Sequence, residues 1–296
     1  SVTKRAALLV LEFDDGSEFG ALAAMEWKDQ YLTTDQLEQV IVVGAGGNLR
    51  PDANFRTRQT FRNINFSTFF TTGLKIQENH ELTYNWMLLR STTDRAALQR
   101  GTDPDITGGE RLTRTLEWIE REMKANQLIG KHSFPKAGGL VLDWQYTDAN
   151  ASAWEPDRRE YRYEPDRFTP EEDDFIFPLD RGALIRSWGD LDDSSESWNV
   201  DFTLPLELSG STDLAIKTGF NEVNKSRLSV LRKYSFEARG PAGTNIDLRR
   251  NLSLGDVIFD ETILPEGWEI FENTGRNDNY TAGAKTEAWH LGLDLN

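Results

Sequence analysis

The chain has 296 residues, of which 38% are hydrophobic and 28% charged, with a formal charge of −16. This is too apolar for a disordered polymer, and so negative a balance lacks the basic footprint that nucleic acid requires. No cysteine is present, which excludes disulfide scaffolds, zinc–thiolate sites and thiol catalysis. The longest apolar run, residues 6–11, falls far short of the roughly 18 residues a transmembrane helix needs. A transmembrane β-barrel is not excluded, because its strands show an apolar side chain only at every second position.

In chain order, residues 6–13 and 19–27 read as two strands joined by Asp14-Asp15-Gly16-Ser17, residue types that tolerate left-handed backbone. Residues 33–62 read as a long polar connection, with Gly44-Ala45-Gly46-Gly47 as a flexible loop and not a dinucleotide site. Strict alternation begins with Ile64, Phe66, Thr68, Phe70, Thr72, Leu74 and Ile76 on one face, and only Phe69 is out of place on the other. After a turn near 77–80 it restarts with Leu82, Tyr84, Trp86 and Leu88. Two alternating runs across a short polar break predict a β-hairpin.

A second long polar connection is expected near 92–110. Residues 110–128 are ambiguous. Leu112, Leu116, Ile119 and Met123 have the spacing of an amphipathic helix, while a strand would carry Arg114, Glu120 and Glu122 on an untidy face. A turn near 131–139 leads into Leu140, Leu142, Trp144 and Tyr146, then a loop near 147–197. Trp198, Val200, Phe202, Leu204, Leu206 and Leu208 alternate up to a turn near 208–213, followed by Leu214, Ile216, Thr218 and Phe220. A last long loop is expected near 237–279, before a weakly alternating strand over 280–295.

Short turns at one end and long loops at the other are the usual asymmetry of outer-membrane barrels. Trp27, Trp86, Trp118, Trp144, Trp198 and Trp289 fall within the expected strands, where an indole suits a membrane–water boundary. Ile64, Phe66, Phe70, Leu82, Tyr84, Trp86, Val200, Phe202 and Leu204 are expected to share one lipid-facing side.

Several stretches carry a family resemblance. They are Trp118-Ile119-Glu120-Arg121, residues 127–134, Leu140-Val141-Leu142-Asp143-Trp144, residues 153–163, residues 214–220 with Lys225 and Arg227, and residues 281–296. Together they resemble the mid-barrel of large TonB-dependent receptors. The resemblance implies an all-β, antiparallel up-and-down transmembrane barrel wall over 1–296, with about nine or ten staves of a probable 22. It implies an internal piece of such a protein, without plug domain or closing strands, in the outer membrane of a Gram-negative bacterium. The implied role is uptake of a scarce nutrient (an iron chelate, cobalamin or an oligosaccharide) with no chemistry on the substrate. The implied partners are the TonB complex, through the missing plug, and outer-membrane lipid and lipopolysaccharide. The other reading is a soluble acidic β-rich carbohydrate-active protein, either a glycosidase using two carboxylates or a binding module.

The loop region 147–193 is the expected ligand-binding segment. Its fourteen Asp/Glu against six Arg supply half of the net charge, among many aromatic residues. Trp154, Arg158, Tyr161, Tyr163 and Trp188 are the candidate contacts, since rings stack on sugars or chelators and charges fix polar groups. Glu171-Glu172-Asp173-Asp174 reads as a solvated charge run and not a calcium loop. His80, His132 and His290 are not at metal-ligand spacing, and no nucleophile elbow, phosphate loop or H-E-x-x-H motif occurs. No catalytic residue, metal or cofactor is therefore expected.

Overall fold

A computed structural model describes residues 2–44, 46–104, 109–166, 175–208, 212–245, 249 and 267–295. The strands are β1 (Val2–Glu12), β2 (Glu18–Val43), β3 (Leu49–Ile76), β4 (His80–Thr102), β5 (Glu110–Phe134) and β6 (Leu140–Pro165). They continue with β7 (Phe175–Ile176), β8 (Leu184–Leu208), β9 (Thr212–Ala238), β10 (Trp268–Glu272) and β11 (Tyr280–Leu295). A short helix, α1 (Gly240–Thr244), follows β9. All the strands join one antiparallel, up-and-down sheet of eleven strands. β10 and β11 both pair with β9, over Tyr234–Ala238 and Leu214–Ser229, and so form one interrupted stave. With β1 to β6, β8 and β9 this makes nine staves, while β7 caps the upper end of β6. Nine is odd, so both edge staves run the same way and the sheet cannot close on itself by an antiparallel pair. It is open.

The long staves have 23 to 28 residues. At roughly 3.3 Å per residue, a stave of this kind is about 80 Å long. The lower connections are short. Gly16, at φ 79°, turns β1 into β2, and Ser17 donates its N–H to Asp15 Oδ1 at 2.9 Å. The connections at 77–79 and 135–139 are equally tight, the latter through a 3-10 turn at Pro135–Ala137 and left-handed Gly138 and Gly139.

The upper connections correct the sequence reading. Most of 33–62, 92–110 and 147–197 is strand: only 44–48 separates β2 from β3, 103–109 separates β4 from β5, and 166–183 separates β6 from β8. In these upper halves polar and charged residues occur on both faces, which weakens the period-two pattern that would announce a strand. Longer connections remain inside two of the predicted loops: 147–197, where the connection carries β7, and 237–279, where it holds α1 and β10. The ambiguous segment 110–128 belongs to β5. Ladders on both sides, such as Arg100↔Leu112↔Tyr163, override its local helical spacing. Its awkward charges pair with neighbours: Glu120 with Arg90, and Glu122 with Lys124 at 2.6 Å.

Cross-strand register sorts the side chains into two unlike faces. Leu11, Phe19, Leu74, Leu82, Gly130, Trp144, Val200, Phe220 and Trp289 form one continuous row across all nine staves. One residue lower, the opposite face carries Lys75, Glu81, Lys131, Asp143, Asp201 and His290. The nine residues expected to share a side do share the apolar one. All nine tryptophans project from this same face, including Trp154, Trp188 and Trp268. On it, Tyr146 packs on Trp198 and Phe220 on Trp289, each pair with centroids 4.3 Å apart. The polar face instead joins Asn85 to Gln127 (3.0 Å), Gln127 to Thr147 (3.3 Å) and Lys75 to Glu18 (3.1 Å).

At the level of this row none of the described residues covers the apolar face: Trp198 remains 42% exposed and Phe202 41%. Higher up, the same face is covered by the chain itself. Leu112, Tyr161, Tyr163, Leu184, Phe236 and Trp268 lie on it, and the segment around β7 folds over them. Phe177 is completely buried there, stacked on Tyr163 at 4.3 Å and edge-on to Trp268 at 6.2 Å. This is the core of the protein, and it lies at the upper end of the sheet.

Candidate functional site

The polar face carries a group of charged side chains, gathered from three strands, that could meet a solute. Arg95 of β4 and Glu117 of β5 are directly paired, with Nη1–Oε2 at 3.2 Å. Arg158 of β6 reaches the same Glu117 at 3.9 Å and Glu160 at 3.1 Å. Glu155 and Arg121 complete the cluster. Residues three apart in a strand normally face opposite ways. The β6 register shifts against β5 between Leu116 and Glu120, and against β8 between Glu155 and Arg158. That inserted residue turns both Glu155 and Arg158 to the polar face, the re-aiming typical of a β-bulge.

The cluster is incompletely satisfied. Glu155 Oε1 and Arg95 Nε are buried without a hydrogen-bond partner. Burial pushes the Glu155 carboxyl above its ordinary value and Glu117 adds to the rise, against the opposing pull of Arg158 and Arg121. Buried polar atoms left unpaired cost stability unless something else meets them. Directly below lies a shallow groove of about 560 Å³, floored by Leu89, Met123, Ala151, Ala153 and Leu191 with Arg121 at its rim. It continues past Met123 and Ala151 into a second groove of about 480 Å³, beside Lys225 and the Asp193–Arg227 ion pair. The arrangement can hold a polar solute by charge and hydrogen bonding. Among the described residues no three His, Asp or Glu side chains are grouped to hold a metal ion.

The five residues expected to bind ligand are divided by the sheet. Arg158 alone is on the polar face, beside the groove. Trp154 is 49% exposed on the apolar face. Trp188 is on that face too, edge-on to Tyr234 at 5.6 Å and under the Arg186 guanidinium at 5.0 Å. Tyr161 and Tyr163 are fully or almost fully buried beneath Phe177 and offer a ligand no surface, since they are core residues. Burial pushes the Tyr161 hydroxyl up to about 12. The acidic run 171–174 is outside the described residues. Arg95, Glu117, Arg121 and Glu155 were not legible as a site, because only register across three strands gathers them. His80 and His132, 52 residues apart in sequence, are likewise brought together by the β4–β5 ladder.

No known family, curated protein or solved structure matches the chain. A functional reading therefore rests on the two faces of the sheet.

Proposed function

We propose that the chain is the wall of an outer-membrane transporter of the TonB-dependent class, with its apolar face against lipid and its polar face toward a water-filled lumen. The observation that carries this reading is the uncovered band. A water-soluble protein buries large apolar surfaces or keeps them small. The described residues bury the upper part of the face under Phe177, yet leave the row from Leu11 to Trp289 open. A soluble carbohydrate-active protein would need a second layer over that row. Lipid supplies the cover without one, and its boundary with water suits Trp27, Trp86 and Trp198.

On this reading the charged upper halves of the staves stand in water beyond the bilayer. The cargo is a scarce polar nutrient such as an iron chelate, cobalamin or an oligosaccharide, and it passes the groove on the polar face. Energy would reach it from TonB through a plug domain. No bond in the cargo is broken. Fractionation tests the proposal: the chain should sediment with outer membranes, require detergent for release and change gel mobility on heating. A chain that stays monomeric in detergent-free buffer overturns it.

A further inference from the structure

On the apolar face, at the end with the short turns, His80 opens β4 directly opposite His132 of β5. Their Nδ1 atoms are 3.2 Å apart. Trp144 of β6 approaches from the other side, donating its indole N–H to His132 Nε2 at 3.0 Å. An indole can only donate. Neutral His132 must therefore keep its proton on Nδ1 and donate it to His80 Nδ1, which leaves the His80 proton on Nε2. The neighbouring Glu81 and Lys131 form the next cross-strand pair and project to the polar face.

We propose that His80 and His132 form a cross-strand chelate for an imidazole-seeking divalent transition-metal ion of the zinc, nickel and copper group, opposed by the Trp144 hydrogen bond. With metal–nitrogen bonds of about 2.0–2.1 Å, two nitrogens 3.2 Å apart subtend about 100–106° at the ion, close to tetrahedral. The ladder already holds the two rings opposite each other, so ordering them for the ion costs little. No third acidic or imidazole side chain joins them among the described residues. Two protein ligands leave the remaining coordination positions to exogenous ligands, as in an exchangeable site and not a closed structural one.

Coordination through both Nδ1 atoms uses their lone pairs. The His132 proton then leaves Nδ1 and one is taken up at Nε2, with no net change in charge on the ring. Nε2 becomes a donor facing the Trp144 donor, and that hydrogen bond is lost. Metal and indole bond exclude one another, so Trp144 reports occupancy. The inference stands apart from the transporter reading, because it needs only the β4–β5–β6 register.

The test is titration of the folded chain with Zn²⁺ at pH 8, in whichever medium holds it folded, followed by calorimetry and tryptophan fluorescence. One ion per chain is expected, with a change in emission that is absent from Trp144→Phe. His80→Gln or His132→Gln should weaken binding at least tenfold with the circular dichroism unchanged. Trp144→Phe should tighten it about two- to tenfold, the equivalent of one ordinary hydrogen bond removed from the competing state. Binding absent at millimolar Zn²⁺, binding that survives both histidine variants, or an affinity unchanged by Trp144→Phe would overturn the proposal.

Discussion

Replacing Phe202 by arginine separates a lipid-facing wall from a water-facing one by the size of its effect. On the apolar face of β8 Phe202 sits inside the run Trp198, Val200, Phe202, Leu204 and Leu206. Trp198 to Leu206 spans roughly 27 Å along the strand, which after tilting is close to the height of a barrel's apolar band. The ring is 41% exposed. If that share of a ring burying about 150–250 Å² meets lipid, the contact is worth about 2 kcal/mol. A guanidinium in its place would stand near the bilayer midplane, where arginine costs about 2–4 kcal/mol. In water the same substitution removes an exposed aromatic and should change stability by less than about 0.5 kcal/mol. The assay is urea unfolding of the chain folded into phospholipid vesicles, followed by tryptophan fluorescence, with Asp201→Leu on the polar face as the control. A Phe202→Arg chain as stable as the parent, beside an Asp201→Leu chain that fails to fold, would reverse the assignment of faces.

Phe177→Ala should remove about 3–5 kcal/mol from the upper core, since the ring is fully buried among Tyr161, Tyr163 and Trp268. The loss should be local, seen as faster proteolysis between β7 and β8 while the ladder amides of β3 and β4 stay protected, and uniform loss of protection would contradict it. Gly130→Ala places a methyl 2.2 Å from Trp144 Nε1, so the indole must leave its place over β5. A cost of about 1–3 kcal/mol and a shifted tryptophan emission are expected, and an unchanged spectrum would mean the ring lies elsewhere. Burial raises the Asp157 carboxyl, but hydrogen bonds from Arg186 and Arg159 outweigh it and hold the group below its ordinary value. Its contribution is present above the ordinary carboxylate range and lost as pH falls through the lowered value. Asp157→Asn should therefore destabilise at pH 7 and make little difference near pH 2. Glu155 has the opposite sign: its raised value favours the neutral acid, so stability is lost as pH rises through it. Glu155→Gln should stabilise the chain at neutral pH, and a lower melting temperature for this variant would show that the carboxylate is paired after all.

What the sequence by itself determined is the two-faced character of the lower sheet. Alternation in 64–76, 82–88 and 198–208 is visible because one face there is apolar and the other polar, and the four short turns are marked by Gly, Pro, Asp and Asn. The upper halves of the staves were harder to see for the converse reason: polar and charged residues occur on both faces among the apolar ones, and a strand held by its ladder needs no pattern. Residues 110–128 show the same override, since backbone hydrogen bonds to β4 and β6 outweigh a helical spacing that no helix partner rewards. The core and the polar cluster were decided by tertiary structure alone. Tyr161 and Tyr163 read as ligand contacts until Phe177 covers them, and Glu155 and Arg158 share a face only because β6 carries one residue more than its neighbours at that point. Pairing between strands sets which distant residues meet, and neither the inserted residue nor the 52-residue separation of His80 and His132 leaves a trace in local periodicity.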